Sequence, residues 1–176
     1  MRKSIIAILM TFCLSIMTYA QTPRDRATEL KEQAQSSLNQ KDYIKARYLF
    51  KKAYEAFATR ENYPQAIECG VQANALYVRE NFYKEGFELC RDMDQLIWAG
   101  EQNQKKVFYD LRFLVNKERL QMYTALKNPA QAKTQLNKLE ETANLAKNDS
   151  LTEVLLYTKA NYYYTFNQNT QGDACF

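Results

Sequence analysis

Glu29 and Glu32 lie three residues apart and would share one face of a helix, the arrangement a general acid and base require. Lysine and arginine surround them, however, and a solvated face is the better reading. Glu140 and Glu141 are adjacent, so on a helix they point to different sides. Histidine is absent from the 176 residues. That removes the usual serine and cysteine triads and any imidazole metal site. No glycine-rich loop is present to cradle a phosphate. Lysine and arginine do not cluster on one face with interleaved aromatics, as nucleic-acid binding would need. The residues therefore point away from an enzyme, and no cofactor, metal or nucleic acid is expected.

The first twenty residues have a different character. Arg2 and Lys3 precede an apolar run from Ile5 to Met17, and Thr18-Tyr19-Ala20 places small residues where a signal peptidase reads. Residues 1–20 are expected to be a secretory leader cleaved after Ala20, which sends the chain to the periplasm or cell envelope. A signal anchor is the competing reading, disfavoured by the shortness of the run. The residues before Cys13 lack the small side chain that a lipidated cysteine requires. Losing Arg2 and Lys3 lowers the net charge from +4 to +2. Cys69, Cys90 and Cys175 remain, an odd and sparse set that makes no disulfide framework. Cys69 and Cys90 are read as small apolar residues of the core.

Four glycines and three prolines are few, whereas 13 tyrosines and 9 phenylalanines supply bulk for a core. Sheets need more tight reversals than this, so long helices joined by short turns are expected. Apolar spacing of 3.6 residues marks a first helix over 24–40, entered through Thr22-Pro23. A second carries Tyr43, Ala46, Leu49, Phe50, Ala53 and Phe57. Further helices are expected over 64–80, 83–99 (stopped by Gly100), 102–126 (with Val107, Leu111, Leu114 and Leu120 along one side) and 129–147. Ser150 and Glu153 have capping-box spacing, which predicts a seventh helix from Leu151 to Phe166. After a turn at 167–170 only about seven residues remain, where earlier partner helices have roughly seventeen, and so short a helix is marginal alone. The expectation is that the fourth hairpin is incomplete and the natural protein continues past Phe176.

The hairpins share a register. Ser37, Ala46, Phe50, Ala53 are matched by Tyr77, Gly86, Cys90, Met93, then by Tyr123, Ala132, Leu136, Leu139, then by Tyr163, Gly172, Phe176. A small residue lets an aromatic ring from the partner helix pack across it, and the bulky residue one turn later fills the groove toward the next hairpin. The pattern resembles the tetratricopeptide repeat, with Asp42-Tyr43-Ile44-Lys45-Ala46, Phe50 and Ala53 close to that family's second-helix signature. Tyr77, Tyr123 and Tyr163 sit where its first-helix tyrosine falls. Ala46, Gly86, Ala132 and Gly172 are 40, 46 and 40 residues apart, longer than the family's repeat of about 34. The family's early tryptophan and closing proline are missing. The resemblance implies an all-α fold: a right-handed superhelical array of about three and a half antiparallel hairpins over residues 21–176. A plain helical bundle is the competing fold.

The resemblance also implies a concave groove lined by the first helix of each hairpin. By register it would present Lys31, Gln35 and Asn39, then Gln72, Ala75 and Arg79, then Lys117, Gln121 and Thr124, then Tyr157, Asn161 and Tyr164. Such a polar, mildly cationic groove suits an extended peptide or a protein partner. Of the three consecutive tyrosines, Tyr163 is assigned to the core, Tyr164 to the groove and Tyr162 to outer packing. More loosely, the chain looks like the extracytoplasmic amino-terminal region of bacterial repeat-containing membrane sensors. The expected function is an exported protein- or peptide-binding scaffold within a larger envelope signalling protein, touching the membrane only through a segment beyond Phe176. The alternative is an accessory array attached to an enzyme or kinase domain beyond that residue.

Overall fold

The computed structural model describes residues 25–176. Among them are eight helices and no strand: α1 (Arg26–Asn39), α2 (Tyr43–Thr59), α3 (Tyr63–Arg79), α4 (Tyr83–Gln104), α5 (Tyr109–Ala125), α6 (Pro129–Ala146), α7 (Asp149–Thr165) and α8 (Asn169–Asp173). Each packs on its neighbour in the chain, and α5 also touches α3 and α7. None of these helices is long and apolar enough to cross a membrane. The leader and the Thr22-Pro23 cap lie outside the described residues.

Five of the seven connections are one turn repeated. Lys41, Glu61, Asn81, Lys127 and Asn167 each take a positive φ of 52–63°, which closes the helix before them in a left-handed cap. The residue that follows donates its N–H to the carbonyl five positions back. These bonds run from Asp42 to Ser37, Asn62 to Phe57, Phe82 to Tyr77, Asn128 to Tyr123 and Gln168 to Tyr163, at 2.9–3.0 Å. Ser37, Tyr77, Tyr123 and Tyr163 are thus the residues whose carbonyls close the turns, which explains why they keep a register. Lys41, Glu61 and Asn81 fall at twenty-residue intervals, as do Lys127, Lys147 and Asn167. At the next helix start, the side chains of Asp42, Asn62 and Asn128 accept the backbone N–H of Lys45, Gln65 and Gln131.

No glycine has positive φ; all four lie inside helices at close crossings. A β-carbon on Gly70 would sit 2.6 Å from Met93 Sδ, and one on Gly172 would sit 2.8 Å from the Tyr164 ring. Gly100 therefore does not stop α4. Its bare face receives the rings of Phe108 and Tyr63, and the helix runs on to Gln104 before Lys105 turns left-handed. The fifth helix accordingly begins at Tyr109 and not near 102, and Val107 is an exposed part of the connection. Two further starts move. α1 begins at Arg26, capped by Asp25, and α7 begins at Asp149, where Asn148 and not Ser150 supplies the cap.

Two apolar clusters share α5 as a wall. The first runs from Ala27 and Phe50 through Ile67, Met93 and Ile97 to Val115 and Met122. The second gathers Phe113 and Leu120 with Leu136, Leu139, Leu155 and Tyr162. Ala46, Phe50, Ala53, Gly86, Cys90, Met93, Ala132, Leu136 and Leu139 are all buried, so the register marks core, whereas Phe176 is 83% exposed. Cys69 and Cys90 are free and buried.

The register tyrosines Tyr77, Tyr123 and Tyr163 each reach the preceding hairpin, whereas Gly86 is met by Met122 with Asn74 and Gly172 by Tyr164. Tyr77 lies under the Arg47 guanidinium at 4.8 Å, the Tyr123 ring is 4.7 Å from that of Phe87, and Tyr163 lies under Lys133 at 5.9 Å. In each case the partner is the residue just after the small residue of the preceding hairpin, so these tyrosines join one hairpin to the next. Among the three consecutive tyrosines, Tyr162 is the buried one and Tyr163 is half-buried.

Candidate functional site

The residues expected to line one groove fall into two groups. On α1 and α3 the charged and amide residues Lys31, Gln35, Asn39 and Arg79 are engaged within the chain, and Gln72 is not. Lys31 Nζ donates to Gln65 Oε1 at 2.8 Å and pairs with Glu68 Oε2 at 2.7 Å. Gln35 donates to Asn39 at 3.1 Å. The Arg79 guanidinium covers the Tyr43 ring at 4.0 Å, and Gln72 and Ala75 are exposed on α3.

On α5 and α7 the outcome differs. Lys117, Gln121 and Thr124 face Tyr157 and Asn161 across an open cleft of about 400 Å³. Buried Leu120 and Tyr162 give it an apolar floor, and exposed Ala125, Val154 and Lys127 complete its lining. No carboxylate lines it, so two ammonium groups give it a positive character. The Thr158 hydroxyl is held by the Val154 carbonyl at 2.7 Å. Gln121, Tyr157 and Asn161 are exposed, Tyr157 by 62%, and none of the three is hydrogen-bonded within the chain. Tyr164 does not join them. Its ring lies on Gly172 and its hydroxyl donates to Asp173 at 2.6 Å, which ties α7 to α8. Val154 and Lys127 were missed at the sequence level: Val154 is an apolar residue on a polar strip of α7, and Lys127 sits in a turn.

Two other clefts are larger. One of about 480 Å³ between α4, α5 and α6 holds Trp98, Leu145, Lys138, Arg112 and Arg119. Its arginines are occupied, Arg112 by Glu101 and Arg119 by Asp94 and the Cys90 carbonyl. The other, of about 470 Å³, lies at the α4–α5 connection among Tyr63, Val107, Phe108 and Tyr109. There Glu101 accepts the Phe108 N–H at 2.8 Å and Arg112 Nε at 2.7 Å. The Arg112 guanidinium, with help from that N–H, holds the Glu101 carboxyl below the usual carboxylate range against the effect of burial. That cluster secures the one long connection. Burial pushes the Cys69 and Cys90 thiols up to about 12, so neither is a nucleophile. Among the described residues, no group of three or more cysteine and acidic side chains is placed to hold a metal ion.

No protein-family model, curated protein or solved structure matches the chain. The α5–α7 cleft is the candidate site on its geometry, because Lys117, Gln121, Tyr157 and Asn161 line it without a hydrogen bond or ion pair within the chain.

Proposed function

We propose that the protein is an exported scaffold of the tetratricopeptide type that binds an extended peptide or a protein segment, acting as an interaction region in the bacterial envelope. The carrying observation is the α5–α7 cleft, where an apolar floor is flanked by Lys117, Gln121, Tyr157 and Asn161 with their polar ends free. An extended peptide offers amide groups to Gln121 and Asn161 and contact area to Tyr157. The array is read as right-handed and of about three and a half hairpins, and what supports its repetition is the recurring turn and the packing of each helix on its neighbours. Support for export comes from the charge and apolar pattern of Met1 to Ala20.

The test is a displayed library of extended peptides selected on the full chain. Retained peptides should lose at least about tenfold in affinity for a Lys117→Ala/Tyr157→Ala variant. They should keep their affinity for a Lys31→Ala/Arg79→Ala control. Equal binding to all three proteins would refute the cleft as the site.

A further inference from the structure

Where α3, α4 and α5 meet, a carboxylic acid is buried without a cationic partner. Glu118 of α5 is 2% exposed and Asn74 of α3 is 0% exposed. Asn74 Nδ2 donates to Glu118 Oε2 at 3.0 Å. The other end of the same amide, Oδ1, is buried with no donor. It faces Gly86 of α4, where a β-carbon would lie 3.0 Å away, so the backbone of α4 closes the site over it. A buried, unsatisfied acceptor beside a buried carboxylate is costly twice over, once for the missing donor and once for the charge. A proton on Glu118 removes the cost of the charge and supplies a donor beside the unpaired acceptor. Asn74 Oδ1 lacks a donor, and an acid beside a primary amide can complement it at both ends, its O–H donating to the amide oxygen while its carbonyl oxygen accepts the amide N–H.

We propose that Glu118 and Asn74 form a proton-operated latch on the α3–α5 joint, closed by two hydrogen bonds when Glu118 is protonated and loosened when it ionises. The surrounding groups leave room for this. α3 contributes only the neutral amide. From α4 the Cys90 thiol stays protonated, and Asp94 is bonded to Arg119 of α5. Lys117 is the charge that favours ionised Glu118, and no group of α6 or α7 shifts it. Burial is the largest influence and pushes the Glu118 carboxyl up, against the Asn74 bond and Lys117. The folded chain therefore holds this proton longer than the unfolded one. The latch contributes fully below the ordinary carboxylate range, and its contribution is lost as pH rises through the raised folded value.

Urea unfolding of the full chain, compared with Glu118→Gln from pH 4.5 to 8.5, tests this. The glutamine amide is isosteric and supplies the missing donor at every pH. The ratio of the two unfolding constants should move in favour of the variant by up to about tenfold per pH unit across the window. Parallel curves would overturn the latch. A carbon-13 titration of the Glu118 carboxyl in the wild-type chain is independent of the variant's folding. A midpoint above that of exposed glutamates supports the proposal, and an ordinary midpoint ends it.

Discussion

The α1–α3 region and the α5–α7 region place similar polar side chains at matching positions, yet the first uses Lys31, Gln35, Asn39 and Arg79 internally and the second leaves Lys117, Gln121, Tyr157 and Asn161 open. In the first, one three-residue turn joins α1 to α2 and α2 to α3, and α2 packs on α3 as extensively as on α1. Gly70 shows how close the helices come, with Tyr54 of α2 and Met93 of α4 both against its bare face. Lys31 then finds Gln65 and Glu68 within reach. In the second region α6 reaches α7 through a two-residue connection at Lys147 and Asn148 and packs on it far less than on α5. The space left between α5 and α7 is the cleft. Whether a groove position becomes structure or site depends on the side chains it meets across the helices, Gln65 and Glu68 for Lys31 but no carboxylate for Lys117, which the residue at that position does not control.

The contrast can be broken by mutation. Phe50 is 1% exposed at the centre of the first cluster, and Phe50→Ala should cost about 3–5 kcal/mol in urea unfolding. A loss of under about 1 kcal/mol would mean the first region is looser than its packing implies. A smaller effect is expected at the junction of the two regions. Arg112 and the Phe108 N–H hold the Glu101 carboxyl low, so its contribution is present above the ordinary carboxylate range and is lost as pH falls through the lowered folded value. Glu101→Gln should cost about 1–3 kcal/mol at neutral pH and converge with wild type in acid; a deficit unchanged by acid would refute the ion pair as its cause. The smallest effect belongs to the cleft. Gln121→Ala/Asn161→Ala should change stability by no more than about 0.5 kcal/mol. A larger loss would make the cleft structural and erase the contrast.

The helices were legible because apolar spacing, Asp and Asn caps and proline at helix starts act within a few residues. Gly100 was misread because a glycine that ends a helix and one that admits a ring look alike in sequence. Only the approach of Phe108 and Tyr63 separates them. The register of Ser37, Tyr77, Tyr123 and Tyr163 was visible, but its meaning was not, since their turn-closing carbonyls and their contacts with Arg47, Phe87 and Lys133 appear only on folding.

For the candidate site, Lys117, Gln121, Thr124, Tyr157 and Asn161 were identifiable from register, and the structure brings them to one cleft. Lys31, Gln35, Asn39, Arg79 and Tyr164 looked equivalent and were claimed by neighbours. Local chemistry thus determined where the helices lie and which residues are apolar, because those effects are short-ranged. Tertiary structure alone decided which polar groups stay free and which carboxylates are buried. Those outcomes depend on which side chains meet across the helices, set by the packing of many residues far apart in the chain.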